Sequence, residues 1–305
     1  KQTIIMQYHK PNWIKDNAIA LGFWVGKYIA RLPMPFLLSL GKGIGRISYH
    51  VAKKRRHIIE RNIQLCFPNL SQDEKTQLVK DNFDSLGMGI FETLAAWLKP
   101  EAQVKKLFTY EGLENLEALK ASGHGALLLT VHFCNLELGA RAITLQTPFV
   151  AMYRQHKNKA YEERQFKMRT AQSQNEPVNR NEIRKTIKLL RSGKYLWYAP
   201  DQNYGGSEHV FVDFFGVKAL MITATSQMAQ LGKAKVLPYY CIREGNQYKV
   251  KILPALDNFP SDSTTEDCEQ LNKMFESWIL EAPDQYLWAH RRFKTRPEGE
   301  KDLYE

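Results

Sequence analysis

The chain has 305 residues, 44% of them hydrophobic and 25% charged, a balance that excludes bulk disorder, a collagen-like fibre and a polytopic membrane protein. Its net charge of +11 is concentrated at one end: residues 1–63 hold twelve Lys or Arg against two acids, Asp16 and Glu60. A basic end on a nearly neutral body predicts contact with an anionic surface.

The first elements are apolar stretches broken by cations. Asn17–Gly26 and Leu32–Gly41 are separated by Lys27 and Arg31. Neither reaches the ~20 uncharged residues needed to cross a bilayer, and no cleavable secretion signal is read. Trp13, Trp24 and Tyr28 interleave with Lys15, Lys27, Arg31, Lys42 and Arg46, and Lys53-Lys54-Arg55-Arg56 follows. Rings mixed with snorkelling cations are the composition of a helix lying at headgroup depth. The same residues also fit helices packed on a body with a solvated charged face. Residues 1–63 are therefore read as a membrane-anchoring helical segment and residues 64–305 as the main domain. The pI of about 9.3 raises a nucleic-acid partner, but the cations sit among aliphatic runs without an RNP or zinc-finger signature, so none is expected.

Ser71 followed by Glu74 has the form of a capping box, and apolar residues from Leu78 to Leu94 predict a helix over Ser71–Leu98. Phe108–Tyr110 reads as a short strand, with a helix after it. Gly125 to Phe133 is a continuous apolar run after Gly, the pattern of a buried parallel strand. A helix from Leu136 to about Leu145 should follow, capped by Asn135. Strands are predicted at Pro148–Tyr153, Lys194–Tyr198 and His209–Phe215, and helices at Asn158–Ser173, Glu182–Leu190, Ile222–Leu231 and Thr264–Leu280. Ala234–Ile242 and Tyr248–Pro254 read as a hairpin around Gly245-Asn246. Alternating strands and helices predict an α/β fold with a central mixed sheet flanked by helices.

Standard nucleotide and hydrolase motifs are absent: no GxGxxG, P-loop, GxSxG or HExxH occurs,. Cys66, Cys134, Cys241 and Cys268 form no CxxC pair, so neither a disulfide framework nor a zinc site is expected. The chemistry-bearing stretch is His132 to Glu137 (HFCNLE), at the exit of the most apolar strand. On one continuous helix the two side chains would lie about 140° apart. At a strand-to-helix junction the loop can instead fold the carboxylate back onto the imidazole. A carboxylate on one ring nitrogen fixes the tautomer and leaves the other free to accept a proton. By spacing alone, a core histidine with Glu137 merely favouring a helix N-terminus fits better, because two such residues five apart recur by chance. A metal site is less favoured, with one His and one carboxylate. Three further clusters sit near strand ends or the C-terminus: Trp197 to Gly206, containing Asp201 and Gln202; Met152 to Asn158, containing Arg154; and Trp288 to Pro297, containing Arg291 and Arg292. Arginine forks suit phosphate or a developing oxyanion. Each cluster alone fits an ordinary turn or surface charge as well.

Taken in order, these pieces resemble the late acyltransferases of lipid A biosynthesis, the lauroyl/myristoyl acyltransferase family. The matching stretches are Arg61 to Pro68 (RNIQLCFP), His132 to Glu137, Tyr153-Arg154 with Asn158, Trp197 to Gln202, Val210 to Gly216 (VFVDFFG) and Trp288 to Pro297. The resemblance implies a glycerolipid-acyltransferase-like fold. It implies an enzyme on the cytoplasmic face of the bacterial inner membrane, moving a fatty acyl chain from acyl carrier protein to a hydroxyl of a lipid A precursor. His132 would be the general base and Glu137 its partner. Arg154 would contact the oxyanion or donor, and Asp201 with Gln202 would line the acceptor site. Asn158, Arg291 and Arg292 join the expected substrate contacts. No cofactor is expected, because a thioester donor is already activated. Asn203 stands where an acid is common and Asp213 where proline is common, which bears on acceptor detail. Rival readings are an acyltransferase of the same architecture with a phosphatidylinositol mannoside or glycerophosphate acceptor, a non-catalytic peripheral membrane protein, and a thioesterase with Cys134 as nucleophile.

Overall fold

The computed structural model describes residues 13–156, 158–205 and 208–305. Residues 1–12 of the basic arm, Lys157, Gly206, Ser207 and the side chains of Ile14 and Lys15 lie outside the described residues. The elements run α1 (Trp13–Ile29), α2 (Met34–Val51), α3 (Lys53–Cys66), α4 (Gln72–Leu98), the single turn α5 (Glu101–Val104), β1 (Phe108–Glu111), α6 (Leu113–Ser122), β2 (Ala126–Leu129), α7 (Leu136–Thr144), β3 (Val150–Tyr153), α8 (Lys159–Ser173), β4 (Val178–Asn179), α9 (Ile183–Arg191), β5 (Tyr195–Tyr198), β6 (His209–Phe214), β7 (Val217–Ile222), α10 (Ala224–Gly232), β8 (Lys235–Glu244), β9 (Gln247–Ile252) and α11 (Thr264–Glu281).

Seven strands form one mixed sheet in the order β1-β9-β8-β2-β5-β3-β4. Every pairing in it is parallel except the β8–β9 hairpin, whose turn places Gly245 at φ +63. β2 lies in the middle, and its side chains alternate between two cores. Leu127 and Leu129 join one, and Ala126 and Leu128 the other. Burial on both faces is why the strand reads as an unbroken apolar run. β6 and β7 form a separate antiparallel hairpin. β7 falls in a stretch assigned to no element in the sequence, and the helix expected from Ile222 starts at Ala224. The predicted capping box is present, with Ser71 Oγ accepting from Glu74 N and the Glu74 carboxylate accepting from Ser71 N.

The basic arm shares its core with the body. Leu37 and Leu38 of α2 belong to one core, and Ile59 and Ile63 of α3 to the other. The boundary between residues 63 and 64 falls inside α3. α2 crosses α4 at backbone contact: a Cβ at Gly41 would meet Met88 Cα at 2.6 Å. The Gly41-x-x-x-Gly45 spacing that fits no nucleotide loop is thus a helix-packing device. The outward stripe of α2 is left uncovered, with Phe36, Leu40, Ile44, Ile47 and Val51 all exposed. Trp13, Leu21, Trp24 and Tyr28 are exposed along α1. Among the described residues no helix is long and apolar enough to cross a membrane.

Candidate active site

Four loops leave the carboxyl ends of β2, β3, β4 and β5 on one side of the sheet, the place where open α/β sheets bind ligands. They carry His132, Arg154, Arg180 and Asp201 respectively. Between them lies a cleft of about 900 Å³. Leu136, Met152, Trp197, Ile222 and Met228 give it apolar walls. Arg154, Arg169, Arg180 and Glu208 are its charged lining.

His132 lines this cleft, and Asp201 sits behind it. Asp201 Oδ1 lies 2.7 Å from His132 Nδ1, and Oδ2 accepts from the His132 backbone N–H at 3.1 Å and from the Tyr286 hydroxyl at 2.9 Å. The aspartate is fully buried. Burial pushes its carboxyl up. The adjoining imidazole, its ring and backbone hydrogen bonds and the Tyr286 hydroxyl outweigh this, holding Asp201 below the ordinary aspartate value. An ionised carboxylate only accepts, so Nδ1 is the donor and Nε2 is the ring's free acceptor. Asp201 is therefore placed behind the imidazole and not, as the sequence suggested, on an acceptor-lining rim.

Glu137 does not meet His132. It stands in the first turn of α7, and both its oxygens are taken from the other side: Arg169 Nη2 of α8 donates to Oε1, and Trp97 Nε1 of α4 donates to Oε2 at 2.9 Å. The reason is the loop. Asn135 is buried and does not cap α7 with its side chain, and the first turn of α7 packs against α4 and α8. The carboxylate that reaches His132 comes from the loop after the neighbouring parallel strand, β5. Glu137 instead holds Arg169, whose guanidinium carbon lies 5.9 Å from the centre of the Trp197 ring.

The other expected residues separate into two groups. Arg154 is exposed at the cleft. Asn158 caps α8, its Oδ1 accepting from Tyr161 N at 2.8 Å while Nδ2 donates to Asp16 at 3.2 Å; it does not line the cleft. Gln202 is half-buried and also outside the lining. Arg291 pairs with Asp302 at 3.1 Å. Arg292 is buried in the core, donating to the Leu220 carbonyl at 2.6 Å with its guanidinium over Phe214. The Trp288 to Pro297 block is therefore scaffold. His290 Nε2 accepts from Asn203 N at 2.9 Å, and burial pushes this histidine down to about 4. Asn203, where an acid was expected, serves that scaffold: Thr295 Oγ1 donates to its Oδ1 at 3.1 Å.

The His132 loop is pressed onto α4. A Cβ at Gly89 would lie 2.5 Å from the Cys134 carbonyl oxygen. Burial pushes the Cys134 thiol well above the usual range, which disfavours a thiolate nucleophile. Among the described residues no group of three or more His, Cys, Asp or Glu could hold a metal ion. Sequence reasoning missed Arg169, Arg180, Trp97 and Tyr286. Each lies in a helix or loop distant in sequence, and no local spacing marks it.

A fold and site of this kind define an α/β protein with a histidine–aspartate pair at a half-apolar, arginine-lined cleft. Residues 10–295 match the family described as bacterial lipid A biosynthesis acyltransferase. The chain belongs to that family. It is 38% identical over 93% of its length to the lipid A biosynthesis palmitoleoyltransferase of Escherichia coli K12, covering 92% of that protein. It is 37% identical to the lauroyltransferase of the same organism, over 93% of this chain and 94% of that one. The solved structure of the 1-acyl-sn-glycerophosphate acyltransferase PlsC from Thermotoga maritima aligns over 81% of this chain and 95% of that chain, with a TM-score of 0.40 and 13% identity.

Proposed function

We propose that this protein transfers a fatty acyl group from an acyl carrier protein thioester to a hydroxyl of a lipid A precursor, with His132 as general base. The observation that carries the reading is the His132–Asp201 pair opening onto the cleft in a chain of this family. His132 Nε2 takes the proton of the acceptor hydroxyl. The oxygen attacks the thioester carbonyl, the C–S bond breaks, and the imidazolium returns its proton to the departing thiolate. Arg169, held by Glu137, and Arg154 supply positive charge for the tetrahedral oxyanion. Glu137 thus serves through Arg169 and not through the imidazole. The thioester is already activated, so the step calls for no metal, nucleotide or covalent enzyme intermediate. The apolar wall of Leu136, Met152, Trp197 and Met228 suits an acyl chain.

The arm supports a site of action at a bilayer. The exposed stripe of α2 runs beside the exposed cations Lys42 and Arg46, and Lys53, Lys54 and Arg55 follow on α3. Apolar side chains flanked by cations suit insertion to headgroup depth in an anionic leaflet, each cation near the surface adding up to about 1 kcal/mol. We place the enzyme on the cytoplasmic face of the bacterial inner membrane, lying on it through α1 and α2. The test is a mass measurement. Purified protein incubated with a defined acyl carrier protein thioester and lipid A precursor should give precursor heavier by one acyl group, and His132→Ala should not. Acylation of glycerophosphate or phosphatidylinositol mannoside instead, or vesicle binding without transfer, overturns the assignment.

A further inference from the structure

The Asp201 carboxylate is not held by His132 alone. Its Oδ2 has a second donor besides the His132 backbone N–H, the hydroxyl of Tyr286, 85 positions further along the chain. The segment that brings Tyr286 there is laced to the His132 loop on both sides. Leu287 N donates to the His132 carbonyl at 2.9 Å, Cys134 N donates to the Gln285 carbonyl at 2.7 Å, and Phe133 bridges Tyr286 in antiparallel fashion. Behind it, Asn82 Nδ2 of α4 donates to the carbonyls of Asp284 and Tyr286, each at 2.7 Å. Gln285 exchanges two hydrogen bonds with the backbone of Arg243. The guanidinium of Arg243 is in turn fixed by Glu92 at 2.6 Å and by Ser85 at 2.8 Å. The ring of Tyr286 is buried against Trp288, with centroids 4.8 Å apart. The hydroxyl that meets Asp201 therefore has little freedom to turn elsewhere.

We propose that Tyr286 is a positioning residue for the transfer reaction: its hydroxyl, with the His132 backbone N–H, locks Asp201 Oδ2 so that Oδ1 is aimed at His132 Nδ1. The inference rests on reading His132 as the general base. A carboxylate caught at one oxygen by two donors from different segments cannot swing about its Cβ–Cγ bond, so the imidazole stays in one tautomer and one rotamer. The hydroxyl also draws charge from the carboxylate. Without it, more of that charge bears on His132 and the protonated imidazole is favoured. Burial and the nearby aspartate push the phenol up, so it remains a donor throughout the working range.

Other ionisable groups face this cluster. His290 and Arg292 come from the C-terminal block, Tyr198 from β5, Tyr204 from the loop after it, and Cys66 from α3. All are unchanged in a Tyr286→Phe variant, so the difference between the two proteins reports the hydroxyl.

The experiment compares wild type, Tyr286→Phe and His132→Ala, using an acyl carrier protein thioester and lipid A precursor, with rates taken across pH. The histidine ring resonance absent from His132→Ala spectra is titrated by NMR in the other two proteins. Tyr286→Phe is expected to lower kcat roughly tenfold, with KM within about twofold. The acidic limb of the rate profile and the ring titration should both move to higher pH, by up to about one unit. A kcat loss with neither movement marks a merely structural tyrosine and overturns the inference, as does an unchanged kcat. Fluorotyrosine at position 286 keeps ring and hydroxyl but donates more strongly, and should move the limb and the ring titration to lower pH. If Tyr286→Phe does not fold, the absence of that shift overturns the inference. Wild-type turnover in His132→Ala would instead defeat the general-base reading, and so separates the two failures.

Discussion

Asp201 and Glu137 flank the same imidazole-bearing loop, and their surroundings differ. Asp201 is fully buried, and its three donors are the ring and backbone of His132 and a phenol. Glu137 is joined to a cation and an indole, Arg169 and Trp97. One carboxylate meets an imidazole, the group proposed to take up a proton. The other neutralises and aims a permanent charge. The comparison teaches that a carboxylate near a histidine in sequence need not be its partner, because a parallel sheet puts adjacent strand ends closer than the next helical turn.

The sharpest way to break this distinction is kinetic. His132→Ala should reduce kcat by about 10²–10⁴, with its melting temperature and its recovery on anionic vesicles unchanged. Asp201→Asn should cost roughly ten- to a hundredfold and add little on top of His132→Ala, since paired residues fail together. Glu137→Gln should lower turnover about tenfold by loosening Arg169, and its effect should add to that of Asp201→Asn. Strong non-additivity between those two carboxylates, measured in the double variant, would mean that they form one unit. Gly89→Ala should act on both pairs by lifting the loop from α4. Overpacking there is expected to cost about 1–3 kcal/mol in denaturant melts, with a fall in turnover.

The smallest effect is on stability against pH. Folded His290 is held down to about 4 by burial, whereas the unfolded chain takes up the proton near the ordinary histidine value of about 6.5. Its contribution is complete above that value and is lost as pH falls toward 4. Asp201, held below the usual aspartate value, has the same sign in a more acidic window. Urea midpoints at neutral and mildly acidic pH should therefore converge in His290→Gln relative to wild type.

Much of this architecture is legible locally. The capping box at Ser71, the apolar run of β2 and the Gly245-Asn246 turn declare themselves, because each is set by neighbours within a few residues. His132 is also marked, by its place at the exit of the most buried strand. Its partner Asp201 is marked in the sequence only as a strand-end acid, since pairing across β2 and β5 depends on strand order, which no spacing within one segment encodes. The same holds for Arg61 to Pro68. Asn62 donates to the carbonyls of Trp288 and His290, and Phe67 packs on Trp288. That motif is a clasp for the C-terminal block, visible only once the chain has closed on itself.

The glycines of α4 carry a mechanical consequence. Gly87 abuts the backbone of α2, and Gly89 abuts the loop bearing His132. Two positions apart on a helix, they point about 200° from one another. Between the outer helix α2 and the His132 loop there is thus one rod, met on opposite sides by bare main chain at these two positions. Under the proposal that α2 lies on a bilayer, a tilt of that helix would press on the His132 loop through α4 itself, as in a stiff lever.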